Sequence, residues 1–236
     1  MTRASLILIA CMALAWLGGC GGNTTGIALQ STVRQLGPND EWNYVVSGNV
    51  SDGSTAAPLN VSGTYSIRMT SDTVEAPDLL PARVVLVSGK LTGADYSHII
   101  AERYYMRQQP DGALLLVGGR NANGSDYWFG QPVIVPYVIV ESPLSVGDQW
   151  PVETKTTLGT TYDDYFTVDG TEKISVPAGG FQTYRVRSDG RTGGTAVICT
   201  YWWAPQIGNF VQWRRSVQAG GSTVETLTYK LVSYSL

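Results

Sequence analysis

The thiols are the most reactive side chains in this 236-residue chain, and their positions differ in what they could do. Cys11 and Cys20 lie in an apolar amino-terminal stretch, whereas Cys199 lies far along the chain in TAVICTYWW. Cys20 directly follows Gly18 and Gly19, two small residues that leave the preceding peptide bond open to a protease. A thiol at this position is placed to accept a diacylglycerol group before cleavage, so Cys20 is the candidate for lipid attachment.

The residues before Cys20 have the order of a secretory signal peptide. Arg3 precedes an uncharged run over residues 4–16, which is too short to span a bilayer as a permanent helix. The tetrad Leu17-Gly18-Gly19-Cys20 resembles the lipobox of bacterial lipoproteins. This resemblance implies a signal peptide over residues 1–19, acyl chains such as palmitate on Cys20, and a place in the cell envelope. Gly21 implies the outer membrane if the cell is Gram-negative.

The 217 residues that remain after removal of residues 1–19 are enough for one sizeable β domain or two small ones. A polar, glycine-rich tether is predicted over residues 20–35, and a single β domain over 36–236. The net charge is only −3 and no basic cluster stands out, so nothing indicates a nucleic-acid partner. After cleavage Cys199 is the domain's one thiol apart from the anchor, which rules out an internal disulfide. We expect it to be buried and inert.

Alternation with a period of two predicts strands along the domain. Residues 60–70 place Val61 and Tyr65 on one face, and residues 226–235 do the same with Leu227 and Tyr229. Turns are predicted at PDG (110–112) and SDG (188–190), and at most one helical turn over 74–83. The fold class is therefore all-β: an antiparallel, strongly curved sheet, open barrel or sandwich with little or no helix after the signal peptide.

An internal repeat with an offset of about 107 residues divides the domain. LGPNDEW (36–42) matches LSVGDQW (144–150), and VSGTYSI (61–67) matches VDGTEKI (168–174). Two further matches follow in the same order, so two related halves are predicted, at about 36–140 and 141–236. Chance similarity between β-hairpins is the alternative, because such hairpins share turn chemistry.

The carboxyl-terminal half contains a recognisable series of motifs. ISVPAGGFQTYRV (174–186) precedes YWWAPQIGNFVQW (201–213), and SPLSVGDQW (142–150) lies upstream. These motifs resemble uncharacterised bacterial envelope lipoproteins of the TapB-like or related domain-of-unknown-function type, most clearly over residues 142–236. The resemblance implies secretion and an antiparallel β fold, and it implies no catalytic residue.

Side chains suited to catalysis are few and scattered. His98 is the one histidine, and a nucleophile that used it would also need a third residue to orient the base. The adjacent Asp163 and Asp164 point to opposite faces of a strand, so a glycosidase pair would need a distant acid such as Glu102 or Glu172. We therefore predict no catalytic residues and no enzymatic activity, with a glycan hydrolase as a remote alternative.

One segment has a partial metal-binding pattern. Asn121, Asn123 and Asp126 are spaced around Gly124 like the start of a calcium loop, but Pro132 stands where the closing glutamate belongs. A tight turn between strands is the better interpretation. The sequence thus predicts no metal site and no cofactor.

Aromatic residues carry the remaining functional signal. Tyr201, Trp202 and Trp203 are consecutive, so both faces of their strand carry rings, and Trp213 follows nearby. These four residues are the predicted binding residues; ordinary core packing is the alternative. We expect a non-catalytic envelope lipoprotein that binds an apolar small ligand or a protein partner, which would require an open apolar cavity. A structural or assembly component and a carbohydrate-binding module are the alternatives.

Overall fold

The computed structural model describes residues 33–51, 58–130, 133–220 and 222–236, and every regular element within these ranges is a β-strand. Cys20, the signal peptide, most of the predicted tether and Pro132 lie outside them. The strands are β1 (Glu41–Val50), β2 (Leu59–Glu75), β3 (Pro81–Thr92), β4 (Ser97–Gln108), β5 (Leu114–Arg120), β6 (Asp126–Trp128), β7 (Tyr137–Val140), β8 (Gln149–Lys155), β9 (Thr161–Val176), β10 (Gly179–Thr192), β11 (Thr195–Ala204), β12 (Asn209–Ala219) and β13 (Ser222–Ser235).

All 13 strands belong to one antiparallel sheet in the order β6-β5-β4-β3-β2-β1-β13-β12-β11-β10-β9-β8, with β7 paired to β5. Two consecutive meanders, β1–β6 and β8–β13, are therefore joined where β1 pairs with β13. The sheet curls without closing, and its two ends meet at an isolated bridge between Phe129 and Thr156. The predicted all-β, curved antiparallel class is confirmed. Within the described ranges, no helical segment has the length and hydropathy of a membrane span.

The predicted alternation identifies the side chains on the buried face of the sheet. Val61 and Tyr65 of β2 are buried, as are Leu227 and Tyr229 of β13. Glycine allows the tight curvature at Gly63, because a Cβ atom there would lie 1.8 Å from the backbone oxygen of Lys90. Neighbouring strands therefore approach more closely than a side chain would permit.

Of the two turns predicted from the sequence, one is present and the other is not. The PDG turn is confirmed, since the Gly112 amide donates to the Gln109 carbonyl between β4 and β5. The SDG turn at 188–190 is wrong, because all three residues lie inside β10 and pair with strands on both sides. The hairpin instead turns at Gly193-Gly194, where both φ angles are positive (53° and 86°). Two residues with positive φ form a tight hairpin loop that matches the twist of the flanking strands.

Two further local predictions can be compared with the fold. The segment 74–83 contains a hydrogen-bonded turn between β2 and β3, with Leu79 at a φ of 64°, and no helix. The matched tryptophans of the proposed repeat, Trp42 and Trp150, are each the second residue of a strand, in β1 and β8, and both are buried. The relationship between the two halves remains a prediction.

Candidate functional site

The concave face of the sheet lines a partly open cavity of about 180 Å³. Its wall takes side chains from both meanders, so it exists only because the sheet curls on itself. Nine aromatic residues line it, namely Trp42, Tyr65, Tyr104, Tyr137, Tyr201, Trp203, Phe210, Trp213 and Tyr229. Aliphatic residues such as Val87 and Leu116 complete a mostly apolar wall. This arrangement is typical of a site for a small apolar ligand.

The structure brings three of the four predicted binding residues together. Tyr201 and Trp213 are directly opposite each other on β11 and β12, and Trp203 lies two residues further along β11. All three line the cavity. The ring of Trp213 stacks on Tyr229 with centroids 4.1 Å apart and an interplanar angle of 10°. These rings therefore form a packed wall and not an exposed platform.

Trp202 points away from the cavity, as alternation along β11 requires. Its indole Nε1 donates to Glu172 Oε1 at 2.7 Å, and the Arg214 guanidinium lies 5.5 Å from the ring centroid. Only 7% of Trp202 is exposed. Because both faces of β11 carry aromatic rings, the sequence predicted that a second layer, a partner or a ligand would cover the face away from the cavity. Glu172 and Arg214 of the same chain contribute to covering it.

Arg215 is the charged residue among those that line the cavity. Its side chain is 3% exposed, and its Nη1 donates to Glu225 Oε1 at 2.5 Å. Burial of an arginine is costly unless an acid pairs with it, and Glu225 supplies that acid from the adjacent strand β13. Sequence reasoning missed Arg215. It lies two residues from Trp213, which by strand alternation places it on the same face.

A carboxyl group and a phenol lie side by side on β4. The Tyr104 hydroxyl donates to Glu102, and Tyr104 itself lines the cavity. Burial raises the pKa of Glu102, an effect that the Tyr104 hydrogen bond and the positive charge of Arg215 oppose. Burial also raises the pKa of Tyr104 well above its usual value, so the phenol stays protonated. The neutral form of Glu102 is thus favoured more than in water.

The adjacent carboxylates face opposite sides of β9, as predicted. Asp163 is exposed and Asp164 is 2% exposed. The Tyr137 hydroxyl donates to Asp164 Oδ2 at 2.8 Å, and burial raises the pKa of Asp164 to about 7. Glu172 lies beside Trp202 on the side away from the cavity, so the structure does not bring it to Asp164.

The other residues considered for chemistry have ordinary surroundings. His98 is half-buried on β4, and its ring centroid lies 6.5 Å from that of Tyr96. Asn121 and Asn123 accept hydrogen bonds from the Ser125 amide in a tight turn between β5 and β6, as predicted. Cys199 is buried, also as predicted. Among the residues that the structure describes, no three His, Cys, Asp or Glu side chains are grouped to hold a metal ion.

Residues 33–40, here called the amino-terminal strap, cross one end of the cavity. Leu36 lines it and lies against Gly208, where an added Cβ would be 2.4 Å from Leu36 Cδ2. Gln108 holds the strap twice: its Oε1 accepts from the Leu36 amide at 2.7 Å, and its Nε2 donates to the Arg34 carbonyl at 2.9 Å. The sequence placed residues 33–35 in the tether, because a segment outside the strands carries no periodic signal.

Two solved structures are similar to this chain at low sequence identity. No model of a known protein family matches the sequence, and no curated protein matches it. A "putative lipoprotein" from Parabacteroides distasonis is 13% identical, covering 84% of this chain and 96% of its own, with a TM-score of 0.40. A "putative exported protein" with a YmcC-like fold from Bacteroides fragilis is 14% identical, covering 84% and 98%, with a TM-score of 0.37. Similarities this distant assign neither a family nor a function, and the TapB-like resemblance stays a prediction.

Proposed function

We propose that this protein is a bacterial envelope lipoprotein whose β domain binds a small apolar ligand in its interior cavity without acting on it chemically. The cavity between the two meanders carries the proposal. Its wall is mostly apolar and aromatic, and it includes few polar groups, among them Arg215 and Asn209. Apolar surface with a few fixed polar groups is the usual composition of a small-ligand site.

The size of the cavity indicates the size of the ligand. An engineered apolar cavity of about 150 Å³ in another protein stays dry and binds benzene. The cavity described above, at about 180 Å³, is therefore matched to one small ring or a short branched chain. Side chains that meet such a space lose dispersion contacts, and a ligand would restore them.

The amino terminus supports the cellular part of the proposal. The signal-like run before Cys20 predicts export, and acylation of Cys20 predicts attachment to a membrane. Only residues 21–32 separate Cys20 from the strap that crosses the cavity. The anchor would therefore hold this end of the domain near the bilayer.

Native mass spectrometry tests the proposal. The full chain is purified from its own envelope in lipid nanodiscs without detergent, beside a Val87→Phe variant that fills the cavity. Val45→Phe is the matched control, because Val45 is exposed on the outer surface of β1 whereas Val87 lines the cavity.

We expect one discrete added mass on the unmodified protein and on Val45→Phe, and none on Val87→Phe. A bare mass for all three proteins would contradict ligand carriage. That result would favour a structural or partner-binding role, which cross-linking in intact cells would then test.

A further inference from the structure

We infer that the turn between β2 and β3, residues 76–80, is a second membrane contact of this protein, at which Leu79 and Leu80 enter the interfacial region of a bilayer. This inference rests on the proposed function, because the acylated Cys20 is the first contact. It goes further by assigning an orientation to the β domain and a binding role to a surface outside the cavity.

Two adjacent leucines project from this turn. Leu79 is 75% exposed and Leu80 is 55% exposed. Among the residues that the structure describes, they are the one pair of consecutive large apolar side chains that are both exposed. Single exposed apolar residues are ordinary on a protein surface, whereas apolar residues grouped together indicate a contact. The turn therefore presents apolar surface that contact with lipid would remove from water.

The backbone of the turn is unfavourable for the residue that occupies it. Leu79 has a φ of 64°, in the left-handed region that glycine and asparagine adopt readily and leucine does not. Asn39 is the other non-glycine residue with positive φ in the described part of the chain, and its residue type tolerates that conformation. A glycine at position 79 would relieve the strain, so the leucine side chain accounts for the choice of residue better than the backbone does.

Side-chain hydrogen bonds hold the turn in one conformation. Arg107 donates to both carboxylate oxygens of Asp78, at 2.6 and 2.5 Å, and to the Leu80 carbonyl at 2.8 Å. The Leu79 amide donates to the Ala76 carbonyl at 2.8 Å. A two-pronged arginine–carboxylate pair has a well-defined geometry. The two leucines are thus already positioned, and little conformational entropy remains to be lost when they meet a bilayer.

The turn lies at the end of the domain where the chain enters from Cys20. Consecutive residues of β4 hold the two segments together, since Arg107 bonds to the turn and Gln108 bonds to the Arg34 carbonyl of the strap. Residues 21–32 connect Cys20 to the strap, and a connection of this length spans at most about 45 Å when fully extended. An acylated Cys20 would therefore keep the turn close to the membrane surface.

The charges near the turn favour a bilayer of little net charge. Residues 70–85 contain one basic residue, Arg83, and three acidic residues, Asp72, Glu75 and Asp78. Asp78 is paired with Arg107, whereas Asp72 and Glu75 are exposed. Anionic lipid is usually attracted by clusters of lysine and arginine, and this segment has none. Insertion of apolar side chains into zwitterionic lipid is the mode of contact that these residues support.

A fluorescent label on the turn tests the inference. The full chain from its own envelope is placed in phosphatidylcholine nanodiscs that include a lipid with a nitroxide near the glycerol end of its acyl chain. Leu79→Cys carries a nitrobenzoxadiazole label, and Ile99→Cys carries the same label as the matched control. Ile99 is 71% exposed and precedes Arg107 by eight residues of β4, about 26 Å at the usual rise per residue. Cys199 is buried and is present in both proteins.

We expect the nitroxide to quench the label at position 79 at least about twofold more than the label at position 99, because inserted apolar side chains lie about 5–10 Å into the interfacial region. Adding Leu80→Asp to the labelled Leu79→Cys protein should remove most of this difference. Both leucines are exposed, so these substitutions should leave the sheet folded.

Equal quenching at the two positions, or stronger quenching at position 99, would overturn the inference and leave the anchor and the cavity intact. Unchanged quenching after Leu80→Asp would also overturn it, because the label and not the leucines would then be entering the lipid. A chain that does not associate with nanodiscs at all would contradict the acylated anchor of the proposed function, and this inference with it.

Discussion

Asp164 has the most unusual environment of any single carboxyl group in the described domain. It lies among aromatic residues on the concave face, and Tyr137 donates to one of its oxygens. The other oxygen, Oδ1, is buried with no hydrogen-bond partner among the residues described. Burial without full pairing favours the neutral acid and raises the pKa of Asp164 to about 7. Because β7 pairs with β5 of the first meander and β9 belongs to the second, this hydrogen bond also links the two halves of the sheet.

The raised pKa of Asp164 predicts that folding stability falls as pH rises. An aspartate in the unfolded chain has a pKa of about 3.9, whereas Asp164 in the folded protein has a pKa of about 7. Between these two pH values the folded state therefore binds more protons than the unfolded state. The contribution of Asp164 is present below about pH 4 and is lost as pH rises through 7.

Urea unfolding at pH 5 and pH 8 tests this prediction. Asp164→Asn should reduce the loss of stability between the two pH values by about 2–3 kcal/mol. Asp163→Asn, at the exposed neighbour, removes only a smaller cause of the raised pKa of Asp164 and should keep most of the pH dependence of the unmodified protein. Equal slopes for Asp164→Asn and the unmodified protein would show that Asp164 titrates normally.

The two adjacent tryptophans of β11 should respond differently to the same substitution. Trp202→Phe removes the hydrogen bond to Glu172 and should cost about 1–2 kcal/mol of stability without changing the affinity for benzyl alcohol, a neutral probe with one small ring. Trp203→Phe changes the cavity wall and should weaken that affinity. Weaker ligand binding by Trp202→Phe, measured by fluorescence titration, would contradict the assignment of the two faces.

At the scale of elements, the strap lies outside the strands and contributes Leu36 to the cavity wall. The side chain of Gln108 and the Arg34 amide, which donates to the Pro205 carbonyl at 3.1 Å, hold its start, and backbone bonds of Asn39 and Asp40 to Met69 hold its end. Segments outside the sheet open more readily than paired strands. Loss of the Gln108 bonds should therefore increase opening of the strap more than it affects the sheet.

Hydrogen exchange of the Leu36 amide measures this opening. Gln108→Ala should speed exchange about tenfold, the effect of roughly 1.4 kcal/mol of lost protection. Gln35→Ala is the matched control, because Gln35 makes a single exposed bond, 3.3 Å long, to the Gln109 carbonyl. Unchanged exchange in Gln108→Ala would mean that other contacts hold the strap closed.

The elements also show which parts of the fold are local properties of the sequence. Alternation in β2 and β13 predicted their buried faces because a half-buried strand needs only a period of two. Asp-Gly at 189–190 misled the turn prediction, because neighbouring strands on both sides outweigh local turn preference. Arg215 was not predicted because its burial depends on Glu225, a partner contributed by another strand.

At the scale of the whole molecule, pairing between strands far apart in the sequence determines the shape of the sheet, which local sequence patterns do not predict. The pairing of β1 with β13 brings together residues 41–50 and 222–235. The sequence of neither strand indicates which strand it pairs with. The curl that follows creates the cavity, so Tyr201, Trp203 and Trp213 could be predicted as a group but not placed around a space. Trp42 and Tyr104, from the other meander, were not predicted for the same reason.

Attachment to the envelope is a property of the whole protein, and Cys20 should determine it. Metabolic labelling with a palmitate analogue should mark the unmodified protein, and Cys20→Ser should abolish the label and leave the signal peptide uncleaved. Cys199→Ser is the control, since Cys199 is buried. Persistent labelling of Cys20→Ser would contradict the lipobox interpretation.

The most direct test of the central claim is to locate a neutral probe inside the sheet. Methyl-labelled full chain in nanodiscs is mixed with benzyl alcohol, and intermolecular nuclear Overhauser effects are recorded. We predict effects to the methyl groups of Val87 and Leu116, which line the cavity, and none to Val45 on the outer surface. Nuclear Overhauser effects confined to outer-surface methyl groups would contradict a ligand-binding interior. So would the absence of any such effect at benzyl alcohol concentrations that saturate the change in tryptophan fluorescence.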